Sequence, residues 1–187
     1  MSQIIRSGLY LVCLVVAYAA EESTSVDWKG MMPKVRSVLE AQFHAEVGEH
    51  YDIRILRPGH IADITGDGAP EALVWLGTGG ASTSELALMR IEHDQPVVAL
   101  FTDQQGKIEP ILFLEGSSVT HSDGVDLLPK EHALFHSHFE RLGDGKLGTC
   151  AGEAYRWNPH TKTFNYDSRL STSVSRDYCR KVLRGDQ

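Results

Sequence analysis

Apolar residues recur about every four positions over residues 32–47, where Val35, Leu39, Phe43 and Val47 line one face. Met31, Met32 and Val38 widen that stripe. The period predicts an amphipathic helix over 32–47, with Pro33 suited to its first turn and Gly48 to its end. From Tyr51 onward the apolar runs shorten and turn residues divide them, which predicts strands. These fall at 51–56, 72–76, 86–91, 97–101, 111–114, 125–128 and 132–141. A final hairpin, 154–157 and 163–166, flanks the turn Asn158-Pro159-His160-Thr161-Lys162. Helical spacing returns over 174–183 through Val174, Tyr178 and Val182. No long helical pattern separates the middle strands, so an antiparallel meander is favoured over parallel crossovers. The expected class is α+β: an N-terminal amphipathic helix packed on a mainly antiparallel β-meander, with a short C-terminal helix.

The first residues change the picture of where this domain works. Arg6 precedes the apolar run 9–16, and Ala17-Tyr18-Ala19 offers a small-residue cleavage pattern before Glu21 and Glu22. This predicts a secretory signal peptide over 1–19 and a single exported globular domain over 20–187, periplasmic or secreted. The run is too short to cross a bilayer, which takes about 20 apolar residues. Cys13 leaves with the signal, so Cys150 and Cys179 remain. In an oxidising compartment they are expected to form one disulfide; two free buried thiols are the alternative. The formal charge is −7, and loss of Arg6 makes it −8. An acidic chain is unsuited to nucleic acid, whose phosphates select basic surfaces. Arg176, Arg180, Lys181 and Arg184 make the tail locally basic, as suits the C-terminal half of a helix.

Candidate chemistry centres on Asp63-Ile64-Thr65-Gly66-Asp67-Gly68-Ala69-Pro70-Glu71. Asp63, Thr65 and Asp67 take loop positions one, three and five, the Ala69 carbonyl position seven, and Glu71 position nine. Oxygen donors at alternate positions converge when a chain curls, and Ca²⁺ takes six to eight oxygens at about 2.3–2.6 Å. Gly68, at position six, permits the sharp turn. An EF-hand needs a glutamate at position twelve, where Val74 stands, so that reading is excluded. The segment instead resembles the calcium loops of FG-GAP and VCBS-type repeats, in which an acid at position nine precedes an aliphatic strand. Asp63, Thr65, Gly66, Asp67, Gly68 and Glu71 carry the resemblance, with Ala72-Leu73-Val74 as the strand. Thr65 replaces the usual Asn or Asp, and Glu71 the commoner Asp. The resemblance covers about fifteen residues and implies a structural Ca²⁺ in a non-enzymatic binding domain for a protein or glycan.

A propeller would repeat the loop. Residues 142–147 hold a second Gly-Asp-Gly core, but Glu140 rather than an aspartate lies four residues before Asp144, so a plain turn is expected there. On a strand, His132, His136 and His138 would share one face with Glu140, a set that can bind zinc or copper. The bland reading is a polar face opposite Ala133, Phe135, Ser137 and Phe139. The glycine-rich 77–82 lacks the lysine of a phosphate loop, and no G-x-S-x-G elbow is present. The sequence therefore points to an exported, calcium-stabilised, non-catalytic binding domain. Its alternatives are a secreted metal-dependent hydrolase using the histidines, and a relative of repeat-type adhesins.

Overall fold

A computed structural model describes residues 25–43, 52–55, 57–77, 83–117, 121–142 and 147–184. The expected signal peptide, residues 44–47 of the expected first helix, the glycine-rich 78–82 and the turn at 143–146 lie outside them. Helix α1 spans Trp28–Phe43. Its start is set by Asp27, whose Oδ1 accepts the Gly30 amide at 2.9 Å. A capping side chain satisfies one of the amides that a helix start leaves without an intrahelical partner. Pro33 therefore lies inside the helix rather than in its first turn.

Twelve strands follow among the described residues, in one curled sheet. They are β1 (Asp52–Arg54), β2 (Ile61–Ala62), β3 (Glu71–Gly77), β4 (Thr83–Glu92), β5 (Gln95–Val98) and β6 (Leu100–Thr102). The rest are β7 (Ile108–Pro110), β8 (Leu112–Ser117), β9 (His121–Leu128), β10 (Ala133–Arg141), β11 (Leu147–Asn158) and β12 (Thr163–Tyr166). The order is β1-β3-β4-β8-β9-β10-β11-β12-β6-β7, with β2 on β3 and β5 on β4. Neighbours are antiparallel except β12 and β6, which run parallel with Phe164 opposite Phe101. That pairing departs from a simple meander and brings the end of the chain beside its middle.

Alternation along the strands builds two cores. On β4, Leu86 and Leu88 face the inside of the curl, while Ala87 and Met89 face out. The inner core gathers Leu73, Phe101, Phe113, Val125, Leu134, Tyr155 and Phe164, all buried. Phe101 lies with its ring centroid 5.0 Å from Phe113, 5.3 Å from Tyr155 and 5.5 Å from Phe164. Fully burying side chains of this size contributes about 1.5–3 kcal/mol each. On the outer face, α1 presses Trp28, Val35 and Leu39 against Ala72, Val74, Leu76, Ala87 and Met89.

A second helix, α2 (Ser168–Arg184), covers the outer face of β10 and β11. Asp167 caps it, accepting the Leu170 amide at 2.9 Å. That hydrogen bond, with the Arg156 guanidinium at 2.8 Å, holds the Asp167 carboxyl below its ordinary range. Ser171 Oγ accepts the buried Ala154 amide at 2.8 Å and donates to the Asp167 carbonyl at 2.7 Å. A Cβ at Gly152 would collide with the Phe135 ring, so the glycine lets Phe135 lie across β11 toward Tyr178. The predicted disulfide joins Cys150 on β11 to Cys179 on α2, with Cα atoms 5.9 Å apart.

Candidate functional site

The acidic loop connects β2 to β3 and folds around its own carboxylates. Asp63 Oδ1 accepts the Gly66 amide at 2.6 Å, and its Oδ2 accepts the Gly68 amide at 3.0 Å. Gly66 and Gly68 have φ of +78° and +85°, where a residue with a Cβ is strained. Glu71, the first residue of β3, is only 2 % exposed. Its Oε2 accepts the Ile64 and Thr65 amides at 2.9 and 3.2 Å. Burial pushes the Glu71 carboxyl up to about 7; the Ile64 amide opposes this, and the charges of Asp67 and Asp63 add to it.

Three of the expected donors thus come together. Thr65 Oγ1 lies 3.5 Å from Asp63 Oδ1 and 3.2 Å from Glu71 Oε1. Oxygens 2.4 Å from one ion and a right angle apart would be separated by about 3.4 Å, so these spacings match edges of a Ca²⁺ shell. The donors are hard oxygens, and a cation among them would relieve the carboxylate that burial disfavours. Asp67 is exposed and turned to the Ala69 amide, which its Oδ1 accepts at 2.9 Å. It must rotate to join the set. Accordingly, no three His, Cys, Asp or Glu side chains among the described residues converge tightly enough to hold a metal as they stand.

A cleft opens beside the loop, between Thr65, Gly66 and Asp67 on one side and Arg90, Trp157 and Lys162 on the other. Arg90 is 7 % exposed, lies 4.6 Å over the Trp157 ring and pairs with Glu92. This joins the loop to the ends of β4 and β11.

No family model, curated protein or solved structure matches this chain. Its chemistry rests on its own residues.

The three histidines do not share one face. His132 precedes β10 in a left-handed turn with φ of +49°, because the chain must reverse after Pro129–Glu131 before the strand begins. Its ring sits against Gly66 of the acidic loop, where an added Cβ would be 2.8 Å from His132 Cε1. His138 is six residues further along, about 20 Å at strand rise. The set His132, His136 and His138 is therefore split between the two ends of the sheet. His136 faces the inner core, its ring 5.5 Å from Phe113, and its Nε2 is buried with no hydrogen-bond partner. Burial holds its pKa below the ordinary value, against the raising charges of Asp123 and Glu153. The imidazole is kept neutral there.

His138 has a partner that sequence reading missed. Its Nδ1 lies 2.7 Å from Oδ1 of Asp123, which is only 8 % exposed. His121 stacks on His138, with centroids 6.5 Å apart and planes 25° from parallel. Beyond them, Tyr155 Oη donates to Glu153 at 2.8 Å, and burial raises the Tyr155 pKa. The available signal was alternation: His121, Asp123, Val125 and Leu127 share a face, so strand β9 begins four residues before the expected 125.

Proposed function

We propose that this chain is an exported, calcium-stabilised, non-catalytic binding domain. The observation that carries the reading is the oxygen cluster of Asp63, Thr65 and Glu71 around a buried carboxylate whose pKa is pushed to about 7. Asp67 and the Ala69 carbonyl would complete the set, with water filling what remains. Bound calcium supplies charge neutralisation there; the chain's amides already hold Asp63 and Glu71 in their places. The role is structural because the ligands lie within one connection between two strands.

The cleft between the loop and the Arg90–Trp157 stack supports a ligand surface on a protein or glycan partner. Export agrees with the Cys150–Cys179 disulfide, which persists in oxidising compartments. Among the described residues no helix is long and apolar enough to cross a membrane.

The test is thermal unfolding in EDTA followed by added Ca²⁺, Mg²⁺ or Zn²⁺. Calcium should raise the melting temperature of the wild type, and Asp63→Ala and Asp67→Ala should abolish the rise. An unchanged calcium response in both variants would sink the reading.

A further inference from the structure

A groove on the outer side of the fold runs between the start of α1 and residues 54–61, and shares no residue with the cleft beside the acidic loop. We propose that it binds a free aliphatic carboxylate, an anion of the fatty-acid kind. The chain lies along the apolar wall and the carboxylate meets Lys29. This ligand is distinct from the partner of the other cleft and needs no calcium.

The wall is apolar because both of its sides belong to the outer core. Val26, Met32 and Ile55 are half-buried and pack against the cluster that α1 forms with β3 and β4. Trp28 closes the floor at 2 % exposure, its indole N–H donating to the Pro70 carbonyl at 3.0 Å. Ile61, at 37 %, carries the apolar surface out to the rim. The volume is about 640 Å³, within the range of about 300–1,000 Å³ usual for small-molecule sites. Met32 lets the wall adjust to a flexible chain.

Charge selects the head of the ligand. Lys29, Arg54 and Arg57 stand at the groove as exposed cations, with Asp27 as the one carboxylate. The whole chain carries −7, so this rim is a local reversal of sign. Asp27 is turned to the helix start, where its Oδ1 accepts the Gly30 amide. Arg57 donates from Nε to His60 at 2.7 Å and from Nη2 to Glu115 at 2.8 Å, so Glu115 answers its charge. The Arg54 guanidinium lies 4.7 Å over the Trp75 ring and adds positive potential where it stands. Lys29 has no side-chain partner among the described residues, and its flexible stem lets the ammonium follow a carboxylate.

The remaining lining narrows the class. Among the described residues no Ser, Thr, Asn or Gln side chain lines the groove, and the indole N–H is already taken. A sugar or a peptide backbone would bury hydroxyls or amides there without partners, which is costly. An aliphatic chain with one anionic end makes no such demand.

The experiment is titration calorimetry of the delipidated protein with octanoate, decanoate and dodecanoate, each below micelle formation. One-to-one binding is expected, tightening roughly two- to fourfold per added methylene as successive CH₂ groups are buried. Dodecyltrimethylammonium, with the same chain and the opposite head, should bind roughly tenfold more weakly or worse. Lys29→Gln should weaken dodecanoate about fivefold and Arg54→Gln about twofold, the size of exposed charge pairs. Ile61→Asp, which sets a carboxylate at the rim, should weaken it roughly tenfold or more. Asp63→Ala and Lys162→Glu should bind as the wild type does, whether or not calcium stabilises the fold. Each variant is checked for its folded circular dichroism; the exposed Lys29 carries the test if Ile61→Asp unfolds. Equal affinity across the three chain lengths, equal binding of both heads, or unchanged binding on Lys29→Gln with Arg54→Gln overturns the proposal. So does capture by phosphatidylglycerol vesicles without a response to monomeric dodecanoate, which marks a membrane surface instead.

Discussion

The two ends of the curled sheet are fastened by different chemistry. At one end the β2–β3 loop is held by three carboxylates and backbone amides, with His132 packed on Gly66. At the other, β11 is tied to α2 by a covalent bond, and an aspartate–histidine pair closes β9 on β10. The first kind of fastening answers to protons, through the raised Glu71 carboxyl, and the second to reductant. A single fold thus has two independently addressable ends. Which end limits stability depends on conditions rather than on the core, which is common to both.

Breaking the covalent end should have the largest effect. Cys150→Ser with Cys179→Ser opens a loop with a sequence separation of 29. Chain-entropy arguments put the loss at roughly 3.5 kcal/mol, which chemical denaturation of the two proteins will measure. Calcium-dependent stabilisation should persist in that variant, because the loop lies at the other end.

The next largest concerns pH at the loop. Glu71 has its folded pKa raised from 4.5 to about 7, so the folded state holds its proton more tightly than the unfolded chain. No penalty exists below pH 4.5, where both states are protonated. Calcium-free stability should fall as pH rises through that window and level off above 7, by on the order of 3 kcal/mol. Urea titrations between pH 4 and 8 will show the slope, and saturating calcium should flatten it. Glu71→Gln should remove both the slope and the calcium response.

Smaller effects sharpen the boundary. Asp63→Ala removes the acceptor of the Gly66 and Gly68 amides and should cost about 2 kcal/mol in EDTA, read from the denaturation midpoint. Gly66→Ala should cost about 1 kcal/mol from its positive φ, plus a clash with the His132 ring. Adding His132→Ala should recover the clash but not the backbone part, so a double-mutant cycle separates them.

Most element types were legible in the pattern. Of the final hairpin, the strand at 163–166 falls where it was expected while its partner starts at Leu147 rather than 154, and the disulfide joins the two cysteines left once Cys13 is assigned to the expected signal. Boundaries were legible only where a local signal decided them. The Asp27 cap outweighed Pro33, which suggested a later helix start. The left-handed turn at His132 broke a face that alternation would have extended through it. What the sequence could not carry was pairing between distant segments. His138 meets Asp123 only because β9 and β10 are aligned in one register, and nothing within either segment alone specifies that. The oxygen cluster was readable because all its donors lie in nine consecutive residues, so curling of one loop suffices to assemble it.

The parallel contact between β6 and β12 bears on how the chain reaches this shape. Thr102 and Thr163 share a hydrogen bond while standing 61 residues apart in sequence. Phe101 stacks on Phe164, so the centre of the inner core stays incomplete until the last strand is in place. During synthesis, β6 would wait with one edge bare while β8 to β11 emerge. Such distant closure is slow and leaves sticky edges exposed meanwhile. Strand β12 therefore works as a latch: the inner core closes only when residues 163–166 dock beside β6, long after β6 itself has formed.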